Sequence, residues 1–150
     1  MATEMILDGK CVPACFELSE VWTDQLARNT TAIPLAVWLE EQEAGNAVTG
    51  LGVILEGDDD IQSLAERLDE LPFVALHLPK FTDGRVYSHA FRIRKVWNYT
   101  GPILIYGDVL RDQLLYMSRC GVNAFYMRED QDLQASLAAF QLFSDYYQYN

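Results

Sequence analysis

The sequence predicts an α/β fold with a parallel sheet of about four βα units, either an open sheet or a half-barrel. Three observations support this prediction. Short, almost continuously apolar runs alternate with longer amphipathic segments. Gly, Pro or Asp residues bound the apolar runs, and the amphipathic segments carry apolar residues at three- and four-residue intervals. Strands buried on both faces and helices packed on a sheet give this alternation.

Four strand-helix pairs follow one another from residue 51. The predicted strands are 51–55, 73–78, 103–106 and 124–127, and the predicted helices are 61–71, 85–97, 110–120 and 133–146. Aspartates precede each helix, where carboxylates cap free N–H groups and complement the helix dipole. A further apolar run at 35–39 fits a strand, and a helix over 35–43 fits equally well.

Residues 1–32 are predicted to be an irregular N-terminal arm of the same domain, and residues 33–150 its α/β body. Within the arm, Ile6-Leu7, Asp8-Gly9 and Cys11-Val12 suggest a small hairpin, and 22–28 a helical turn. No linker or low-complexity segment divides the chain, and 150 residues suit a single domain.

The composition restricts the classes of partner. A formal net charge of −11 argues against nucleic acid and anionic membranes, because both are polyanions. No apolar run is long enough to span a bilayer, and the first residues lack the features of a signal peptide. We therefore expect a cytoplasmic protein with reduced cysteines that binds a small molecule or another protein.

Charge is distributed unevenly along the chain. Residues 1–75 contain 3 basic and 15 acidic side chains, whereas residues 80–128 contain 8 basic and 3 acidic ones. An acidic protein thus concentrates its cations in one segment, which suggests an anion site there.

Ligands of parallel α/β sheets bind beyond the carboxyl ends of the strands, and here the loops 79–85, 107–113 and 128–129 occupy that position. The candidate acid–base residues are Asp83 and Asp108. The candidate anion-binding residues are Lys80, Gly84, Arg85, Gly107 and Arg128. The candidate supporting residues are Tyr87, Ser88, Asp112, Gln113 and Arg119.

Structural roles compete with each of these assignments. Asp83 and Asp108 also suit helix caps, and Arg85 suits an ion pair with either of them. Lys80 suits a solvated loop. His77, inside an apolar strand, is predicted to be a hydrogen-bonded core histidine. No metal site is predicted, because a helix start accounts for the carboxylates of 58–60.

Two stretches resemble a known family. Residues 79–90 read PKFTDGRVYSHA, and residues 107–113 read GDVLRDQ, followed by Arg119, Gly121 and Ala124-Phe125. They are similar to bacterial domain-of-unknown-function family 934, whose members are labelled as oxidoreductases of sulfite reduction. The genes of this family commonly neighbour those for the sulfite reductase haemoprotein. The resemblance spans about 33–143, and it departs at Val122-Asn123, where Phe-Asp is usual.

The resemblance implies an accessory or redox-partner protein of assimilatory sulfite reduction, with the sulfite reductase haemoprotein or a related sulfur-assimilation enzyme as partner and a small oxyanion as a ligand. One alternative is an enzyme acting on an anionic small molecule at the C-terminal rim of the sheet. Another is a non-catalytic scaffold or oligomerisation domain. No flavin, haem or iron–sulfur motif is present, so the cofactor is left unidentified and enzymatic activity is left open. Uncovered strand edges favour a homodimer, with Tyr146, Tyr147 and Tyr149 across its interface.

Overall fold

The computed structural model of the chain describes residues 3–148 and the side chains of residues 3–141. It contains one curled, open sheet of eight strands in the order β2-β1-β8-β7-β6-β5-β4-β3. The strands are β1 Glu4–Leu7, β2 Lys10–Pro13, β3 Glu17–Leu18, β4 Thr31–Pro34, β5 Gly52–Leu55, β6 Val74–Leu78, β7 Ile103–Gly107 and β8 Ala124–Phe125. The tyrosines expected at a dimer interface, Tyr146, Tyr147 and Tyr149, lie outside the described side chains.

The α/β class and the half-barrel curvature are confirmed, but a purely parallel sheet of four units is wrong. Strands β3 to β8 are parallel, whereas β1 pairs antiparallel with β8, and β2 pairs antiparallel with β1. The additional strands come from the N-terminal arm and residues 31–34, where runs of two to four residues give little periodicity.

Four α-helices follow strands of the sheet: α1 Leu35–Glu43, α2 Arg85–Phe91, α3 Leu114–Arg119 and α4 Leu133–Gln148. The predicted helix 61–71 is instead two 3₁₀ helices, Ile61–Leu64 and Leu68–Glu70. In each segment two apolar residues stand three positions apart, Ile61 and Leu64 in the first and Leu68 and Leu71 in the second. This spacing suits a helix of three residues per turn. Within the described residues, none of the helices combines the length and apolar character needed to cross a membrane.

The N-terminal arm is more regular than expected. The predicted hairpin is confirmed as β1 and β2, with Asp8 and Gly9 both at positive φ (52° and 78°), as a two-residue type I′ turn requires. The segment 22–28 contains turns and no helix. Of the two interpretations of 35–43, the helix is correct, and its strand is the preceding β4.

The curvature follows from the strand order. Strands β3 to β8 are neighbours in sequence order, so right-handed crossovers place every connection on the same face of the sheet. The helices therefore pack on the convex face over the larger apolar core. A second, smaller cluster fills the concave face. In β6, Val74 and Leu76 point to the first core and Ala75 to the second, as strand alternation requires.

Residues 14–16, which we call the strap, cover the concave face. The strap joins β2 at one edge of the sheet to β3 at the other. Phe16 stacks on Phe73 with ring centroids 4.3 Å apart. The Tyr126 hydroxyl donates to the Phe16 carbonyl at 2.5 Å and accepts the Phe16 N–H at 2.9 Å. The chain thus fills its own half-barrel.

We expect Tyr126→Phe to lower the free energy of unfolding by about 1–3 kcal/mol, because it leaves a buried N–H and carbonyl of Phe16 without their partner. Urea unfolding monitored by circular dichroism measures this loss. Tyr116→Phe is the matched control, because Tyr116 is 57% exposed. Equal stability of the two variants would show that the hydroxyl does not anchor the strap.

Candidate functional site

Asp108 connects three loops at the edge of the sheet where the parallel strands β3 to β8 end. We call this edge, with the strand ends and the loops that follow them, the rim. Its carboxylate accepts the N–H of Phe81 at 2.7 Å and a hydrogen bond from the Arg128 guanidinium at 2.6 Å. Its own N–H donates to the Leu78 carbonyl at 2.8 Å. Arg128 and the Phe81 N–H hold the pKa of Asp108 below its usual value. Asp108 therefore joins the loops that follow β6, β7 and β8.

Arg128 is shared between two carboxylates. Besides Asp108, it donates to Asp130 from Nε at 2.5 Å and from Nη2 at 2.7 Å. Both hydrogen-bonded carboxylates raise the pKa of Arg128, Asp130 more than Asp108. An incoming anion would have to displace one of these carboxylates.

Arg85 forms a separate pair with Asp83. Its Nε and Nη2 donate to the Asp83 carboxylate at 3.0 and 2.9 Å. These hydrogen bonds and the Arg85 N–H lower the pKa of Asp83 to about 2. The Arg85 side chain lies against Gly57, where a Cβ would come within 2.8 Å of Nε. Arg85 thus extends toward the loop after β5, whereas Asp108 binds the arginine that follows β8.

The two predicted glycines differ in how strongly the backbone requires them. Gly107 has a φ of 108°, and a Cβ there would lie 2.3 Å from the Leu78 carbonyl oxygen. Gly84 has a φ of −83°, and a Cβ there would lie 3.6 Å from the Tyr87 ring. Only the first position excludes a side chain on both conformational and steric grounds.

The remaining predicted residues spread over the rim and the convex face. The Tyr87 hydroxyl donates to Gln113 at 2.7 Å, which joins α2 to the segment before α3. Ser88 lies on the exposed side of α2 and Arg119 at the exposed end of α3. Lys80 and Asp112 are exposed, Asp112 with 91% of its side chain accessible.

The rim also brings together three residues absent from the predicted site: Glu56, His77 and Tyr106. Nδ1 of His77 lies 2.8 Å from both carboxylate oxygens of Glu56. The imidazole stacks on the Tyr106 ring at 5.0 Å, and the two residues face each other in the register of β6 and β7. His77 is about one-third exposed, so it is not the core histidine that the apolar strand suggests.

The environment of Tyr106 is acidic. Burial raises the pKa of its phenol above the ordinary range, and the nearby charges of Glu56 and Glu20 raise it further. Glu20 follows β3, at one edge of the sheet, and Glu56 follows β5, so carboxylates from two different connections act on this phenol.

A sequence signal for these residues exists. Glu56, His77, Tyr106 and Arg128 each lie two positions beyond a concave-face residue: Ile54, Ala75, Leu104 and Tyr126. Strand alternation therefore sends each of them to the concave side. The alternation identifies these residues only when the concave-face positions of each strand are known. A continuous apolar run does not show which of its residues point to the concave face and which to the convex face.

Two residues near the family-like stretches, Arg94 and Asn123, stabilise loops through hydrogen bonds. Arg94 donates to the carbonyls of Tyr99, Gly101 and Gly121 at 2.6, 2.8 and 3.0 Å. The Asn123 side chain accepts the Ile103 N–H at 2.8 Å and donates to Asp8 at 3.0 Å. An amide therefore serves at position 123 as both acceptor and donor.

Comparison with known proteins gives one family. The model of DUF934, described as a bacterial protein of unknown function, matches residues 52–150. This range includes all of the rim residues named above except Glu20. A search of curated proteins finds no match.

We expect Gly107→Ala to lower the free energy of unfolding by about 2 kcal/mol or more, because the new Cβ meets the Leu78 carbonyl in a strained backbone region. Gly84→Ala, the matched control, should stay within about 0.5 kcal/mol of the parent. Thermal and urea unfolding compare the two variants. A loss of the same size at both positions would contradict this interpretation of the loops.

The Asp83–Arg85 pair should make stability depend on pH. A carboxyl titrating at about 2 in the folded state and at about 3.9 when unfolded stabilises the fold above pH 4, and loses that contribution as the pH falls toward 2. We expect Arg85→Gln to raise the pKa of Asp83 toward about 3.9, measured by carboxyl-detected NMR. Lys95→Gln is the control. An unchanged pKa of Asp83 in Arg85→Gln would show that Arg85 does not lower that pKa.

Proposed function

The chain belongs to the DUF934 family, and from that premise we propose that it is an accessory protein of assimilatory sulfite reduction that docks on a basic surface of its partner enzyme. The segregation of charge across the sheet supports this proposal. The proposed partner is the sulfite reductase haemoprotein or a related sulfur-assimilation enzyme, and the proposed location is the cytoplasm.

Sequential strand order converts the charge asymmetry of the sequence into an asymmetry of the molecule. Strands β3, β4 and β5 and their connections come from the acidic half of the chain, and β6, β7 and β8 from the half that holds most cations. Residues 17–75 carry 13 acidic and 2 basic side chains. One side of the half-barrel is thus strongly negative.

Part of this negative side forms a defined surface, which we call the acidic face: Glu40, Glu43, Glu66 and Asp69. All four side chains are exposed. The first two lie on α1 and the others in the 3₁₀ segment before β6. Arg67 holds these elements together, since it donates to Gln42 and lies 4.5 Å above the Trp38 ring.

Such a surface suits a basic partner. Complementary charge steers encounter and raises the association rate, and the effect weakens as salt screens it. Two cations of the opposite half, Arg85 and Arg128, are paired with their own aspartates, which reduces the positive field of that half. The same pairing disfavours the oxyanion site on these arginines and the alternative of an enzyme that uses them to bind an anion.

We expect the triple variant Glu40→Gln, Glu43→Gln, Asp69→Asn to weaken binding to the partner about tenfold, from the loss of three charges worth roughly 0.5 kcal/mol each at an exposed surface. Surface plasmon resonance with the purified sulfite reductase haemoprotein, at low and at high salt, measures this change. Glu4→Gln, Glu17→Gln, Asp112→Asn changes the net charge equally elsewhere and is the matched control.

A deletion strain tests the pathway itself. It should grow slowly on sulfate and normally on cysteine, and only the control triple variant should restore growth on sulfate. Normal growth of the deletion strain on sulfate would exclude the pathway. Salt-independent binding, or equal affinity of both triple variants, would exclude the acidic face as the docking surface.

A further inference from the structure

A groove of about 570 Å³ opens at the concave side of the rim, between the strand ends of β7 and β8 and the segment after β3. Its volume lies in the range of small-molecule sites, about 300–1,000 Å³. The lining residues are Leu18, Glu20, Tyr106, Gly107, Tyr126, Met127, Arg128 and Glu129. Its walls are mainly apolar.

The fixed charges of this groove are predominantly negative. Glu20 and Glu129 line it, and Glu56, which binds the His77 ring stacked on Tyr106, adds a third negative charge nearby. Arg128 is its cation, and Asp108 and Asp130 both bind that guanidinium. An anion entering the groove would meet three carboxylates and an arginine already engaged.

Two aromatic rings shape the interior. Tyr126 is held by its hydrogen bonds to Phe16, so its ring is a fixed wall. Tyr106 is held on its other side by the His77 ring. Tyr126 is buried, whereas the partly exposed Tyr106 ring offers a flat apolar face with negative electrostatic potential, which attracts cations and planar groups.

We propose that this groove binds a small organic cation: an amine or amidine carried on a planar apolar group. The Glu20 carboxylate takes the positive charge, and Glu56, held by Nδ1 of His77, adds to the negative potential near Tyr106. The Tyr106 ring receives the planar group beside Leu18. The site is independent of docking at the acidic face, because none of its residues belongs to that face.

Glycine at position 107 lets the end of β7 pass close to Leu78 and His77. Its backbone lines the groove, and its Cα side faces the His77 ring, since a Cβ there would lie 3.4 Å from Cδ2 of His77. The close approach of this strand end to the imidazole places the edge of His77 beside the groove.

The test is a titration of the full chain followed by amide NMR shifts, with three probes of one shape: benzylammonium, benzyl alcohol and benzoate. Benzylammonium should bind with saturation and shift the amides of Tyr106, Gly107 and Arg128. Benzyl alcohol should bind more weakly, and benzoate should leave these amides unchanged. The position of the shifts separates groove binding from general attraction of a cation to an acidic protein.

Substitutions measure how much each side chain contributes to benzylammonium binding. Glu20→Gln should weaken benzylammonium binding about two- to fivefold, as expected for one partly screened charge pair. Tyr106→Leu should weaken it by about the same factor, whereas Tyr106→Phe should retain affinity, because the ring face rather than the hydroxyl makes the contact. Glu43→Gln removes an equal charge on the acidic face and should have no effect.

Three results would overturn the proposal. The first is benzoate binding at the same amides at least as tightly as benzylammonium. The second is benzylammonium shifts that spread over α1 and respond to Glu43→Gln as strongly as to Glu20→Gln. The third is absence of any saturable shift with benzylammonium. Each result leaves the docking proposal untouched, since the partner assay uses different residues and a different ligand.

Discussion

An open half-barrel exposes its concave face, and covering that face is the constraint on which the rest of this molecule depends. Phe16 on the strap fills the centre by stacking on Phe73, and the Tyr126 hydroxyl satisfies both backbone groups of Phe16. Without the strap, the smaller apolar cluster would face water at a cost of roughly 25 cal/mol per Å². The strap also fixes β3 at the far edge, which sets where Glu20 meets the rim.

The rim shows how loops can carry many charges and still be rigid. Asp108 ties the ends of β6 and β8 to β7, and the pair of Asp83 with Arg85 stiffens the loop before α2. Gly107 permits this because its backbone passes against the Leu78 carbonyl. The residue types resemble an anion site in sequence, and in space Arg85 and Arg128 already pair with aspartates of the protein. An anion bound at either arginine would therefore compete with a carboxylate.

The sequence predicts those elements whose signals are local and long. The apolar runs of β5, β6 and β7 and the Asp8-Gly9 turn are located correctly, as is the curled α/β class. The short strands β3 and β4 and the antiparallel pairing of β1 with β8 are not predicted, because they depend on contacts between distant segments. For the same reason His77 is misread. Its strand is apolar, but its inward position ends beside Glu56, which comes from a different loop.

The strand order determines where the acidic and basic residues of this chain lie in the folded molecule. In a sheet with shuffled order, the acidic residues of the first half would be interleaved with the cations of the second, and the two fields would cancel over a few ångströms. Sequential order keeps most of them apart, and two arginines of the basic half, Arg85 and Arg128, are paired with aspartates. The loop after β5 lies where these features meet, since Glu56 pairs with His77 while Gly57 packs against Arg85. The negative charges of the acidic face and those of Glu20 and Glu56 thus share one origin, the placement of an acidic sequence on one side of a sequentially ordered half-barrel.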